Sequence, residues 1–304
     1  MWKFVRGHEF YLGTLITIFC VVWMVAFFDN YNWFVVLPLG VSWLGLICLF
    51  DFFDRKYFSH TIIPDTVSRK KKMYRILLVG LVFCTVLEIF FVFIGRLWYY
   101  PFWSLKVYLL AAPFAYGAYT LLLFILYEFV KDAVLRYKKI QNLRVNKNFY
   151  KRIMVTELWL GIAGFTLSTY YALRFLFDSR LSSFLINQKS EVPASAFFFG
   201  VMVFVSTFFI FEYWGSRQNK QTLTHDILAG NLWPIVFILI ANLIAVIIIE
   251  FLNGPFQVWI FANWPYDNLR MLNIPLTAIL VWPLQFPVFL SMIRVLFPAK
   301  EAVW

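Results

Sequence analysis

Charge is what this sequence has least of. Of its 304 residues only 14% are Asp, Glu, Lys or Arg, against about 25% in soluble globular domains. Hydrophobic residues make up 62% and aromatic residues 22%. So little polar sequence cannot cover a water-facing surface, which excludes a soluble globular fold and makes the bilayer the solvent. Cysteine is nearly absent as well. Cys20, Cys48 and Cys84 each lie inside an apolar run and form no C-x-x-C pair, so they read as small core hydrophobes rather than disulfide or metal ligands. His8, His60 and His225 all fall outside the apolar runs, which argues against b-type haem or histidine-ligated chlorophyll within the bilayer. There is no dinucleotide or Walker glycine loop, no H-E-x-x-H and no nucleophile elbow in a suitable place, so no cofactor and no metal is expected.

Long apolar runs are what the sequence has instead. A spanning helix needs ~20 mostly apolar residues. Eight segments qualify: Phe10–Phe28, Trp33–Phe50, Ile76–Ile94, Val107–Val130, Ile153–Phe177, Ala196–Tyr213, Leu232–Leu252 and Met271–Phe297. The fold class is therefore read as an all-α integral membrane protein with eight transmembrane helices. Pro275, Pro283 and Pro287 predict that the eighth is kinked or broken. Lys3 and Arg6 precede the first run and no small-residue cleavage site follows it, so it reads as an uncleaved span.

The net charge of +11 resides in the connections between runs. Of the 27 Lys and Arg residues, 21 fall on one alternating set of connections. The other six are Arg96, Lys106, Arg174, Arg180, Lys189 and Arg270. Basic connections stay in the cytoplasm, so both termini are expected there, in a plasma (inner) membrane. The positive charge then meets anionic lipid headgroups, and no nucleic-acid partner is expected.

The chain also repeats itself. Glu88 and Glu250 lie 162 positions apart, as do Pro113 and Pro275, while Trp98 with Trp259 and Trp103 with Trp264 are offset by 161. Span one opens on Glu9 and Gly13 and span five on Glu157 and Gly161, an offset of 148. Span two ends around Asp51 and span six around Glu212. An even number of spans per unit makes these parallel repeats. The expected organisation is residues 1–130 as the first four-helix repeat, 131–152 as a basic cytoplasmic linker, and 153–304 as the second repeat.

Intramembrane acids are expensive and so attract functional readings. Glu88 and Glu250 are the candidate catalytic pair, as proton donors or acceptors; the bland reading makes each an anchor for the aromatic loop after it. Trp98, Tyr100, Trp103, Trp259, Phe261 and Trp264 are candidate walls of a pocket for a hydrophobic ligand, or members of an interfacial aromatic belt. At the cytoplasmic helix ends, Asp51, Asp54 and Glu212 form a candidate acidic site for a divalent cation and pyrophosphate. The simpler reading there is pairing of Glu9, Asp51, Asp54, Glu128, Glu157 and Glu212 with nearby Arg and Lys. Asn242, Gln285 and Glu88 are the residues that would line a polar path in a transporter.

The order acid, glycine, tryptophan, aromatic, then a proline expected to open the next helix reads Glu88, Gly95, Trp98, Tyr100, Pro113 and again Glu250, Gly254, Trp259, Phe261, Pro275. It resembles the small membrane-type lycopene cyclases, a family built from tandem membrane units that cyclises the ends of a linear carotenoid by proton-initiated chemistry. The family places paired glutamates after its proline. Here Pro113 is followed by Phe-Ala-Tyr and Pro275 by Leu-Thr-Ala. The resemblance thus implies the fold, and with it an isoprenoid or other lipid ligand, while the missing carboxyls separate that fold from cyclase chemistry. Asp51-x-x-Asp54-Arg55 and Glu212 to Arg217 also fall where intramembrane prenyltransferases, which are similar in topology, carry Asp-rich motifs. The leading expectation is a membrane protein that binds and modifies a lipid. A non-catalytic subunit or assembly factor of a larger membrane complex comes second, and a transporter third. The expected partners are membrane lipids, a hydrophobic small molecule, and the rest of such a complex.

Overall fold

The computed structural model describes residues 2–27, 33–58, 67–136, 145–177, 192, 194–271 and 273–296. Helices α1 (Trp2–Ala26), α2 (Trp33–Phe58) and α3 (Val67–Glu88) come first, and α3 continues as a π-helix over Ile89–Ile94. Then follow α4 (Leu105–Leu135), α5 (Lys147–Phe177), α6 (Ser195–Arg217), the short α7 (Leu223–Leu228) and α8 (Trp233–Asn253). The last span is in pieces: α9 (Leu276–Val281), a 3-10 turn at Trp282–Leu284, and α10 (Gln285–Leu296). Four two-residue strands complete the order, β1 (Trp98–Tyr99), β2 (Ile260–Phe261), β3 (Arg270–Met271) and β4 (Ile274–Pro275).

Among the described residues, seven helical stretches are long and apolar enough to cross a membrane. This is an all-α, multi-pass membrane protein. The seven correspond to every expected span but the second. The residues expected for that one form the 26-residue helix α2, which carries Asp51, Asp54, Arg55 and Lys56 in its last turns.

Two boundaries differ from the sequence reading. Pro113 does not open a helix. Ser104 does, its hydroxyl accepting the Val107 N–H at 3.3 Å, and Pro113 sits inside the 31-residue α4. A proline is tolerated at such a place because neighbouring helices satisfy the freed backbone groups. The final span begins at Leu276 rather than Met271, because Arg270 and Met271 pair with Pro275 and Ile274 in the β3–β4 hairpin. Of the expected linker, Lys131–Leu135 continues α4 and Lys147–Arg152 begins α5. Residues 137–144 lie outside the described residues.

The contacts divide into two units. The first comprises Met1–Cys84, Tyr100–Lys138 and Ile240–Trp259. There α1 crosses α2 at Gly13 and Gly45, where a Cβ on Gly13 would stand 2.7 Å from the Gly45 carbonyl oxygen. Backbones approach this closely in membrane helices because packing, not hydrophobicity, joins them. On the other side of α2, Trp43 meets Tyr119 and Phe50 meets Phe129 of α4.

The second unit comprises Thr85–Tyr99, Lys139–Leu239 and Ile260–Trp304. There α5 crosses α6 at Gly161, where a Cβ would stand 2.9 Å from the Ser206 carbonyl oxygen. Phe91 of the π-helix packs on Phe204 of α6, ring centroids 4.9 Å apart. Broad apolar surface remains exposed on both α1 and α5, including Tyr11, Leu15, Phe19, Trp159 and Tyr170.

Candidate functional site

Glu250, in the first unit, is buried three residues before the end of α8. Its carboxylate closes the loop that follows. Asn253 Nδ2 donates to Oε2 at 3.0 Å and the Trp259 indole N–H donates to Oε1 at 3.3 Å. Asn253 also holds the Trp259 backbone at both ends, donating to its carbonyl at 3.2 Å and accepting its N–H at 3.1 Å. The acid, the amide and the tryptophan form one clamp, so the pairing of Glu250 with Trp259 expected from sequence is present. Both carboxylate oxygens accept from loop donors, which is the anchoring arrangement.

Glu88, in the second unit, is also buried, and it is the last α-helical residue before the backbone widens into the π-helix. Each unit therefore contains one such buried acid. Widened turns of this kind collect at functional positions because they re-aim side chains.

The candidate aromatic residues fall in both units. In the first, Tyr100 and Trp103 lie 5.4 Å apart by ring centroid, and Tyr108 joins them. In the second, Trp98 stacks on Phe91 at 5.8 Å, while Phe261 and Trp264 lie edge to face at 6.3 Å. Trp282, unremarked in the sequence, touches both Trp98 and Phe261. Hydrogen bonds fix these rings. The Trp264 indole donates to the Leu97 carbonyl at 2.8 Å, and Asn263 Nδ2 donates to the Arg96 carbonyl at 2.8 Å. Arg96 holds a positive φ of 48° at this turn, and burial lowers its guanidinium pKa. Trp98–Tyr99 and Ile260–Phe261 thereby meet as an antiparallel pair, with Trp98 opposite Phe261 and Tyr99 opposite Ile260.

The helix-end acids are buried rather than reaching for solvent. In the first unit Arg55 Nη2 donates to Glu9 Oε2 at 2.8 Å, and Lys131 donates to Glu128 at 2.6 Å. Those two pairs match the simpler sequence reading. Asp51 and Asp54 of α2 are fully buried, and Asp51 lies within electrostatic reach of Glu9. In the second unit Glu212 is fully buried, but its hydrogen bonds come from neutral groups. The Thr224 N–H donates to Oε2 at 2.8 Å and the Ser291 hydroxyl to Oε1 at 3.0 Å, with Arg294 Nη1 at 3.9 Å. Thr224 donates its hydroxyl to Glu157 Oε1 at 2.8 Å. Nearby, Asp226 is buried in α7, and that burial pushes its carboxyl above the ordinary range against the opposing Gln221 amide and the Arg294 and His225 charges. Among the described residues no group of three or more His, Cys, Asp or Glu side chains is arranged to hold a metal ion.

Sequence reasoning missed Asn253, Thr224, Asp226, Ser291 and Arg294. Only Asn253 carried a local signal, three residues beyond Glu250 on the same helical face. No family model, no curated protein and no solved structure matches the chain.

Proposed function

We propose that the chain is a multi-pass membrane protein of two parallel four-helix repeats that binds an isoprenoid or other lipid where its helices meet the aromatic loops. The observation that carries the ligand is Glu88, a buried carboxyl at the point where α3 becomes a π-helix beside Phe91 and Trp98. An acid there is costly in hydrocarbon, and intramembrane acids mark ligand sites by default. Glu88 and Glu250 remain the acid–base candidates. Glu250 is held at both oxygens by Asn253 and Trp259, and Glu88 lies where the helix widens.

The repeat reading rests on offsets. Tyr99 pairs with Ile260, residues 161 apart, the same offset as Trp103 and Trp264. A pairing centred on equivalent residues is what a local two-fold axis produces. The helix crossings follow suit: Gly13 and Gly161 differ by 148, and Gly45 and Ser206 by 161. The distribution of Lys and Arg supports a cytoplasmic location for both termini.

Lipid extraction from purified protein tests this reading. A stoichiometric isoprenoid or lipid that is reduced in Glu88→Gln supports it, and an empty protein sinks it. A second reading, subunit of a larger membrane complex, is favoured by α1 and α5, whose apolar windows are each only 22% buried. A stable, stoichiometric protein partner in place of a lipid would select it.

A further inference from the structure

The buried acids at the basic helix ends play no part in the lipid reading. We propose that each of two helical hairpins, α1–α2 and α5–α6, binds one proton between a pair of carboxyls, Glu9 with Asp51 and Glu157 with Glu212. The proton comes from water at the basic end and returns to it, and the only bond made or broken is O–H.

In the second unit, Glu157, Glu212 and Asp226 are 9%, 0% and 0% exposed, and Arg294 is the buried guanidinium beside them. Thr224 bridges the pair, with its N–H on Glu212 and its hydroxyl on Glu157, each at 2.8 Å. Two carboxyls within reach of one threonine repel when both are charged, and each is close enough to feel the other. The second oxygen of Glu157 is buried with no hydrogen-bond partner. An anionic oxygen in that position is the costliest state available, and a bound proton removes its charge. It also leaves Glu212 as the anion that faces Arg294. Among the described residues, the other nearby titratable groups have partners of their own. The Tyr150 hydroxyl bonds the Thr222 hydroxyl, His225 stands beside Asp226, and the Lys220 ammonium donates to the carbonyls of Arg294 and Val295 at 2.6 and 2.9 Å.

The first unit has the same pair in different surroundings. Glu9 is 1% exposed and Asp51 0%, and each lies within electrostatic reach of the other. Arg55 binds one oxygen of Glu9, and the other is buried with no hydrogen-bond partner. Asp54 and Cys48 lie on the same helix, His8 precedes Glu9, and from α4 come Glu128 and Lys131, bound to each other. Glu9 and Glu157 differ by 148 positions, and Asp51 and Glu212 by 161, the offsets of the two glycine crossings. The partners of the acids have changed between hairpins while the acid pair and its stranded oxygen have not. A pair retained only for a particular salt bridge would not show that pattern.

The test is infrared spectroscopy of the full chain in lipid vesicles, in the region where protonated carboxyls absorb, at neutral pH. Glu9→Gln and Glu157→Gln should each remove part of the absorption and the double variant the sum of the two. Asp267→Asn, a surface acid paired with Arg270, should leave it unchanged. Should a glutamine variant fail to insert, Glu9→Asp and Glu157→Asp should move the band instead. Absorption unaffected by all four substitutions overturns the proposal. So does a band that appears only when sodium is withheld, which would mark a cation site in place of a proton site.

Discussion

The hairpin α1–α2 in the first unit and the hairpin α5–α6 in the second are built alike and neutralised differently. Each crosses at a glycine set against a backbone carbonyl, and each buries an acid from both of its helices. In α1–α2 the guanidinium is local, Arg55 of α2 on Glu9 of α1. In α5–α6 it comes from outside the hairpin, from α10, while α7 supplies the threonine. The lesson is that the first hairpin carries its own charge balance and the second depends on elements much later in the chain. Damage to the last span should therefore register at Glu212, and damage to the first hairpin should stay there.

The guanidiniums give the largest contrast. Arg294 is 4% exposed and Arg55 keeps 28% of its side chain in solvent. Removing one partner of a buried pair costs on the order of 3 kcal/mol, and an exposed one below about 1 kcal/mol. Arg294→Gln should thus lower unfolding stability in detergent far more than Arg55→Gln, and equal losses would erase the distinction drawn here. Next come the crossings. Alanine at Gly13 or Gly161 places a methyl under 3.0 Å from a backbone oxygen, and such overpacking costs about 1–3 kcal/mol. Gly13→Ala should be the worse, because Gly45 answers it with a backbone contact of its own; stability unchanged in both would mean the helices cross elsewhere.

Smaller effects sharpen the picture at the hydrogen bonds. Thr224→Val removes the hydroxyl from Glu157 but keeps the N–H on Glu212, at a cost of about 1–2 kcal/mol. Asn253→Ala should cost a similar amount through the Trp259 loop and be read as faster proteolysis between Asn253 and Trp259. The smallest expected change is in pH dependence. Burial makes Asp226 bind its proton more tightly in the folded than in the unfolded chain. The stability it contributes is present at low pH and is lost as pH rises through its folded value. Asp226→Asn should flatten that part of the stability profile, and an unchanged slope would remove Asp226 from the account.

Helices were legible in the sequence because lipid-facing segments must be apolar and long enough to cross. The break in the last span was legible for a related reason, since Pro283 and Pro287 each remove a backbone donor. Pro113 misled because a proline looks the same at a helix start and inside one; the hydroxyl of Ser104, nine residues earlier, was the better signal. The π-helix after Glu88 left no trace, as Ile89–Ile94 is apolar in either winding. Arg294 counted toward the basic flank of a span, yet it turns inward to Glu212, 82 residues away in sequence. Pairings of that kind are set by helix packing, which no local pattern encodes. The acid-to-tryptophan link in the loop after α8 was legible because all its members lie between Glu250 and Trp259.

The central claim, two parallel repeats of four spans, is tested most directly by cysteine labelling from either side of sealed membranes. In a background with Cys20, Cys48 and Cys84 replaced by alanine, single cysteines would be placed at Arg6, Lys71, Lys106, Lys220 and Arg270. Arg6, Lys71 and Lys220 should label from one side, and Lys106 and Arg270 from the other. Labelling of Arg6 and Lys71 from opposite sides would mean that α2 does not cross. Labelling of Lys106 and Arg270 from opposite sides would contradict the parallel repeats outright.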